Sequence, residues 1–545
     1  MAHAVRWKDV LLAAAIFSLA SLVYTFPLIT APAHANRLDS PDALLNSWII
    51  SWNLHQLGTD PLHLFDANIF FPEKGTLAYS ENLVTGALVA APVAAITSAN
   101  ANPIVAFNAV LLGAFVLTGV ATFVLAYDLT GDRLASILAG VLFAFAPYRF
   151  AHIPHLQLQL AFGVPLSLLF VRRLVMSTAT TATTATTAGT SARYAAVGFA
   201  LSAALTFGSS VYYAVFVASV APLVALTEIY WLPRLRRPAA VGRLFLAGIG
   251  AVVLTLPLAL PYLDKLQGGT VRSLEAASNF SAGVTEYVSS FSRVHAFLPK
   301  AAEPLFPGFV ALGLAAAALI GLSREGTRKW CWALVGATGI ALSAGPALGL
   351  FSFLYHVAAP FRALRVPSRA GVLLLLAVAM LAALGLTLIR KKAIRWLLVA
   401  LAALECMAAP LPLRLEVPSY PPIYMDVEAL AEPGALVELP LPPPERFQDN
   451  ALSVYRSIFH RRELVNGYSG FVPQSYRRAH RLLMRRNFTR GLEAMRQEGV
   501  RFVLAHEGRL GPRMLRQIQQ ALDSGVLVMV SERTPDRLYA IAPSR

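Results

Sequence analysis

Long apolar runs determine what this chain can fold into. Eleven such runs carry few or no charged side chains, and each is close to the roughly 20 residues that an α-helix needs to cross a bilayer. Only 14% of the 545 residues are charged, against about 25% in a soluble domain. The sequence therefore predicts a mainly α-helical, polytopic membrane helix bundle. The predicted spans lie near residues 10–30, 103–127, 132–148, 155–175, 193–209, 211–231, 241–263, 305–322, 330–350, 370–389 and 394–411.

Basic residues predict how the spans are oriented. Arg6 and Lys8 precede the first run and place the N-terminus in the cytoplasm. A further apolar segment, 82–99, would invert every later loop if it spanned, so we interpret it as interfacial or re-entrant. The C-terminus then lies outside, and the later basic clusters all face the cytoplasm. These clusters are Arg133, Arg172 with Arg173, Arg234 with Arg236 and Arg237, Arg324 with Arg328 and Lys329, and Arg390 with Lys391 and Lys392.

The first apolar run allows a second interpretation. Ala33-His34-Ala35 follows it and has the small-residue pattern of a signal-peptidase site. The run is longer than the usual apolar core of a signal peptide, so a retained first span is the favoured prediction. We expect a multi-pass protein of the plasma (inner) membrane.

The net charge of +16 does not predict a nucleic-acid partner in such a protein. Basic residues keep loops in the cytoplasm and contact anionic lipid headgroups, which accounts for the excess. Cys331 and Cys406 both lie in apolar runs, so neither a disulfide framework nor a cysteine metal site is expected. The Thr/Ala tract within 176–192 is typical of a low-complexity linker.

The composition changes near residue 412 and divides the chain into two predicted domains. Residues 1–411 form the transmembrane domain, in which 31–102 is the first outer loop with interfacial helices. Residues 412–545 form an extracytoplasmic α/β or α+β domain. Its predicted strands are 435–441, 501–505, 526–530 and 537–542, and its predicted helices are 476–498 and 512–523.

Carboxylates and tryptophans in the first outer loop are the first candidates for chemistry. Asp39 and Asp42 could act as a general base or hold a divalent cation. Alternatively, Asp42 is an N-cap for a helix at 43–57, and Asp39 solvates a turn. Trp48 and Trp52 share a helical face, as an interfacial aromatic belt or as a platform for a sugar. Glu81 is a further candidate binding residue.

Two other outer loops carry clustered cations. One loop contains Arg149, His152 and His155, and another contains Arg362, Arg365 and Arg369. Outer loops usually avoid arginine, so a lipid phosphate is a reasonable ligand for these residues. Snorkelling to lipid headgroups is the alternative. The outer loop at 264–304 is long enough to form a lid.

Several segments resemble the GT-C superfamily of membrane glycosyltransferases. A first span leads to an outer loop with an early aspartate and an interfacial helix, and a second span ends at a cytoplasmic YDLTGDR motif. The layout is similar to that of the protein mannosyltransferase and lipid A arabinosyltransferase-like branches. The segments that resemble a bacterial branch of the superfamily are LNSWIISWNLHQL, NIFFPEKGTLAYSENL, PYRFAHIPHLQLQ, FRALRVPSR and NGYSGFVP.

The resemblance implies transfer of a sugar from a polyprenyl-phosphate donor to a glycan, lipid or protein acceptor of the cell envelope. It also implies that an aspartate of the first outer loop is the catalytic base or metal contact. That role falls on Asp39 or Asp42, because Leu-Asp-Ser-Pro-Asp stands where Gly-Asp-Glu is usual. The only cofactor to consider is a divalent cation. A lipid or sugar transporter and a non-enzymatic, partner-binding assembly protein are the alternatives, although no internal repeat is evident and the outer loops are polar.

Overall fold

The computed structural model divides the chain into two compact units. The membrane unit is Met1–Ala31 with Ala109–Leu413, and the sheet unit is Pro32–Asn108 with Arg414–Arg545. The first outer loop therefore groups with the C-terminal segment, which the sequence did not indicate. The structure describes residues 3, 5–34, 40–97, 102–177, 185–230, 232, 234–269, 271–322, 328–414, 418–485 and 487–543.

Each of the eleven predicted spans contains a helix. Seven helices among the described residues are long and apolar enough to cross a membrane, and the others are shorter or less apolar. The prediction of a polytopic helical protein is confirmed. The helices along these spans are Trp7–Tyr24, Pro103–Thr130, Arg133–Ala144 with Pro147–Ala151, Leu156–Gln159 with Gly163–Met176, Ala185–Ser209, Val211–Tyr230, Arg237–Gln267, Phe309–Gly321, Arg328–Ser343, Gly371–Thr387 and Lys392–Glu405. Short helices Leu274–Ser278, Val284–Tyr287 and Leu350–Val357 lie between spans.

Glycines allow three of these helices to approach closely. A Cβ atom at Gly385 would lie 2.0 Å from the carbonyl oxygen of Leu314, and one at Gly339 would lie 2.7 Å from the backbone nitrogen of Leu374. Small residues at such crossings let two helix backbones pack closely, which matters in a membrane because the hydrophobic effect does not drive helices together in lipid. Helix Gly371–Thr387 therefore packs closely against both helix Phe309–Gly321 and helix Arg328–Ser343.

Glu405, an acid inside the last predicted span, has a structural role. Its carboxylate accepts the N–H groups of Phe309 and Val310 at 3.1 and 3.0 Å. These are unsatisfied donors in the first turn of helix Phe309–Gly321, where a negative charge is favourable. His295 lies 3.5 Å from the same carboxylate.

The sheet unit contains a four-stranded mixed sheet. Its strands are β1 (Ala435–Leu439), β2 (Val500–His506), β3 (Leu527–Arg533) and β4 (Asp536–Ile541), in the order β1-β2-β4-β3. β1 and β2 are parallel, and the other pairs are antiparallel. All four predicted strands are present. The helices of this unit are Pro41–Thr59, Val84–Thr97, Ile423–Glu428, Ala451–His460, Gln474–His480, Arg481–Arg485 (a π-helix), Phe488–Gln497 and Pro512–Asp523.

Backbone bridges extend this sheet into the first outer loop. Leu464 forms a parallel bridge with Leu436 of β1 and another with Ile69. The N–H of Leu464 donates to Asn68, and the N–H of Phe71 donates to Leu464, at 3.0 and 2.9 Å. Hydrogen bonding thus joins two parts of the chain that are almost 400 residues apart in sequence.

The helix at Val84–Thr97 corresponds to the ambiguous segment 82–99. It has 14 residues, which gives a length of about 21 Å. That length falls short of the hydrocarbon core of a bilayer, which is about 30 Å thick. The segment belongs to the sheet unit and not to the membrane unit.

Candidate functional site

Arginines from two predicted outer loops lie together in the membrane unit. Arg272 comes from the loop after helix Arg237–Gln267, whereas Arg365 and Arg369 precede helix Gly371–Thr387. The N–H of Arg272 donates to the carbonyl of Arg362 at 2.8 Å, which ties the two loops to each other. We call Arg272, Arg365 and Arg369 the arginine patch.

Aromatic side chains hold the arginine patch in place. The Arg365 guanidinium stacks over the ring of Phe280 at 4.5 Å, and that of Arg369 over the ring of Tyr212 at 4.9 Å. The Tyr212 hydroxyl also accepts the backbone N–H groups of Arg365 and Val366 at 2.8 and 3.2 Å. These contacts fix both the loop and the planes of two guanidinium groups.

The electrostatics of the patch favour an anion. Burial lowers the pKa of Arg272, and the neighbouring charge of Arg365 lowers it further. Arg365 is exposed, and no carboxylate of the described residues forms an ion pair with it. Arg272 was not singled out from the sequence. Arg272 lies in the predicted outer loop 264–304. An arginine in a predicted outer loop is the same signal that identified Arg362, Arg365 and Arg369.

Two predicted phosphate-binding arginines have other partners. Arg149 is 3% exposed. Its guanidinium donates to the carbonyls of Ala144, at 2.6 Å, and of Gln159, and so satisfies the end of helix Arg133–Ala144. Arg362 donates to the carbonyls of Tyr355 and His356 at 3.2 and 3.0 Å, at the end of helix Leu350–Val357. Both guanidinium groups satisfy carbonyls that a helix end leaves unpaired.

His152 pairs with Glu303, an acid that the sequence reasoning missed. Its Nδ1 donates to the carbonyl of Tyr148 at 2.8 Å, and its Nε2 lies 3.2 Å from Oε2 of Glu303. Burial raises the pKa of Glu303, but His152, Arg369 and His155 together hold it below its usual value. The structure thus brings His152, His155 and Arg369 around one carboxylate. Nothing in the local sequence AAEPLFPG distinguishes Glu303 from an ordinary loop acid.

Asp42 lies in the sheet unit, in the first turn of helix Pro41–Thr59. The prediction that Asp42 caps this helix is wrong. Ser40 is the N-cap, and its hydroxyl accepts the N–H of Asp42 at 3.3 Å. Oδ1 of Asp42 accepts instead from the hydroxyl of Tyr468, at 2.7 Å. Asp39 lies outside the described residues.

The two tryptophans and Glu81 lie in the predicted first outer loop, within the sheet unit. The rings of Trp48 and Trp52 stack with centroids 6.3 Å apart. Trp48 is 2% exposed and donates to Oδ1 of Asn68, whereas Trp52 is half-buried and donates to the carbonyl of Leu64. Of the two, Trp52 presents more ring area at a surface. Glu81 is buried.

Within the parts of the chain that the structure describes, no three His, Cys, Asp or Glu side chains are grouped so as to hold a metal ion. Asp39 lies outside those parts. A divalent cation at Asp39 and Asp42 therefore stays a prediction.

No protein-family model matches the sequence, and no curated protein matches it. Among solved structures, the chain is similar to the oligosaccharyltransferase AglB from Archaeoglobus fulgidus in complex with an inhibitory peptide and a dolichol-phosphate. Identity is 13% over 92% of this chain and 70% of that one, with a TM-score of 0.44. An oligosaccharyltransferase from Archaeoglobus fulgidus tethered to an acceptor peptide matches at 11% identity over 92% of this chain and 69% of that one, with a TM-score of 0.47.

The chain is also similar to ArnT from Cupriavidus metallidurans, at 11% identity over 98% of both chains and a TM-score of 0.37. AglB and ArnT are GT-C glycosyltransferases. All three TM-scores are below 0.5. The chemistry of this chain is therefore inferred from its own residues.

Proposed function

We propose that this chain is a membrane glycosyltransferase that transfers a sugar from a polyprenyl-phosphate donor to a cell-envelope acceptor at the extracytoplasmic face. The arginine patch is the observation that carries the proposal. Arg272 and Arg365 are held near each other although their charges repel, and an anion bound between them would relieve that repulsion. The planar fork of a guanidinium group matches the oxygens of a phosphate.

The patch suits the departing group of such a reaction. Transfer forms a bond from an acceptor oxygen to the anomeric carbon of the sugar and breaks the bond from that carbon to the phosphate oxygen. Negative charge grows on the phosphate as the bond breaks. Arg365 and Arg369, each fixed over an aromatic ring, would stabilise this charge without reorganising.

The acceptor hydroxyl must lose its proton to a base. Asp42 is a carboxylate held in position by a hydrogen bond from Tyr468, and Asp39 precedes it by three residues. Either carboxylate can take the proton as the new bond forms. Binding a divalent cation is the other role that these two side chains can fill.

Turnover of radiolabelled polyprenyl-phosphate sugars by the protein in nanodiscs tests the proposal, with a membrane extract as acceptor. Transfer should be lost in Asp39→Asn or Asp42→Asn. Arg365→Gln should weaken donor binding by about 10- to 100-fold, because hydrogen bonds to charged groups contribute about 1.5–3 kcal/mol.

Arg293→Gln is the matched control. Arg293 also lies in a predicted outer loop, but its guanidinium donates to the carbonyls of Ala408 and Pro410. Donor affinity should stay at the wild-type value in this variant. Absence of both binding and transfer across a broad donor panel would refute the proposed function.

A further inference from the structure

A tyrosine near the C-terminal end of the chain holds the candidate base. The hydroxyl of Tyr468 donates to Oδ1 of Asp42 at 2.7 Å, across 426 residues of sequence. That distance is in the usual range for an O–H···O hydrogen bond. Both residues belong to the sheet unit.

Asn466, which begins the loop that contains Tyr468, is held by hydrogen bonds from its side chain and its backbone. The side chain of Asn466 brackets Glu438 of β1: its Oδ1 accepts the N–H of Glu438 at 2.8 Å, and its Nδ2 donates to the carbonyl of Glu438 at 3.0 Å. The same Nδ2 lies 2.9 Å from Oδ1 of Asn450. The carbonyl of Asn466 accepts the N–H of Phe70 at 3.2 Å.

Gly467, the next residue of this loop, is held by close packing. A Cβ atom at Gly467 would lie 2.4 Å from the ring of Phe70, so only glycine fits there without displacement. Its carbonyl accepts from Nδ2 of Asn450 at 3.2 Å. The ring of Phe447 packs against that of Tyr468 with centroids 5.5 Å apart. The backbone before Tyr468 and the ring of Tyr468 are therefore both held.

We infer that Tyr468 is a positioning residue for Asp42, an inference that rests on the proposed function. A hydrogen bond from Tyr468 restricts rotation of the Asp42 carboxylate, and a fixed orientation favours removal of the proton from an acceptor hydroxyl as that hydroxyl attacks. The C-terminal segment then takes part in holding the candidate base. The alternative is that the hydrogen bond only ties two segments together.

Tyr468→Phe removes the donor and keeps the ring. If Tyr468 positions the base, kcat should fall by about 10- to 100-fold, the range expected for a hydrogen bond to a charged group. KM for the donor should stay within about twofold, because binding does not require the proton transfer.

Tyr539→Phe is the matched control, since the Tyr539 hydroxyl also donates to a carboxylate in the same unit, Oε1 of Glu507 at 3.2 Å. This variant should leave kcat unchanged. A wild-type kcat in Tyr468→Phe, or an equal loss in Tyr539→Phe, would overturn the positioning role while leaving the proposed function standing.

Thermal midpoints measured without donor separate this inference from the proposed function. Tyr468→Phe should lower the midpoint less in an Asp42→Ala background than in the wild-type background, because the hydrogen bond between these two side chains is then already absent. Equal effects in both backgrounds would refute the contact. If the wild-type protein transfers no sugar, the proposed function fails, and a coupling seen by this cycle would mark the contact as a structural tie, which also overturns the positioning role.

Discussion

Replacing Arg172 by methionine should destabilise the membrane unit strongly. Arg172 is 2% exposed and connects two acids from different helices: its Nε donates to Oδ2 of Asp128 at 3.1 Å, and its Nη1 donates to Oε1 of Glu228. The side chains of these acids are 1% and 8% exposed. Without the arginine, two buried carboxylates lose the cation that offsets the cost of removing them from water.

The magnitude follows from this burial. Removing one partner of a buried ion pair costs about 3–5 kcal/mol, because the remaining charge is left unpaired in a medium of low polarity. A loss of about 1 kcal/mol lowers the midpoint of a domain of 150–250 residues by roughly 2–4 °C. The expected fall in the thermal midpoint is therefore on the order of 10 °C.

The adjacent Arg173 provides a matched control. Its side chain is 33% exposed and donates to Oδ1 of Asp128 at 3.0 Å, while Arg172 still pairs with that acid. Arg173→Met should cost less than about 1 kcal/mol, as expected for a partly exposed pair. A triple variant that adds Asp128→Asn and Glu228→Gln to Arg172→Met should recover part of the loss, since neither buried carboxylate is then left without a cation.

Thermal unfolding of the purified variants in one detergent, followed by intrinsic fluorescence, measures these effects. Arg172→Met should have the lowest midpoint of the three, and the triple variant should lie between it and the wild type. Equal midpoints for Arg172→Met and Arg173→Met would refute the reasoning from burial. A triple variant no more stable than Arg172→Met would refute the reasoning from unpaired charge.

Two further changes test the sheet unit. Gly467→Ala should reduce the free energy of unfolding by about 1–3 kcal/mol and so lower the thermal midpoint, because the new Cβ atom would lie 2.4 Å from the ring of Phe70. An unchanged midpoint would contradict this packing. Burial lowers the pKa of His460 from 6.5 to about 4. The unfolded chain therefore binds a proton that the folded chain excludes, and stability should fall as the pH drops from about 6.5 towards 4, by up to about 3 kcal/mol. His460→Gln should flatten that pH dependence of the midpoint, and an identical slope would rule out this histidine as its source.

Local patterns were enough to locate the apolar spans and the four strands. A run of about 20 apolar residues satisfies its own backbone only as a helix in lipid, so each span could be located without tertiary information. Strands β1 to β4 were visible because short β-rich runs lie between turn residues. The predicted helix 476–498 was seen as one element but is three, Gln474–His480, Arg481–Arg485 and Phe488–Gln497.

Non-local pairing could not be predicted in the same way. Ile69 and Leu464 join the sheet through isolated bridges, and single bridging residues carry no strand pattern. The union of the first outer loop with the C-terminal segment therefore appears only in the structure. The Asp42 carboxylate likewise has a distant partner, Tyr468, which local sequence cannot reveal.

Residue type and loop position predicted cations at the ends of spans but not their roles. Arg149, Arg362 and Arg365 are equivalent candidates in the sequence, since each lies in a predicted outer loop. In the structure, the first two donate to carbonyls at helix ends. Which arginine meets a carbonyl depends on how the helices end, and the helix breaks are set by packing as well as by proline.

The distinction among these arginines bears directly on function. An arginine that donates to helix-end carbonyls stabilises the fold, and its location in an outer loop then indicates nothing about a ligand. Arg365 differs because its guanidinium is exposed and stacked on Phe280, and because the charge of Arg272 repels it. This repulsion opposes folding, and a bound anion would offset it. Under the proposed function, that anion is the phosphate that leaves as the sugar is transferred.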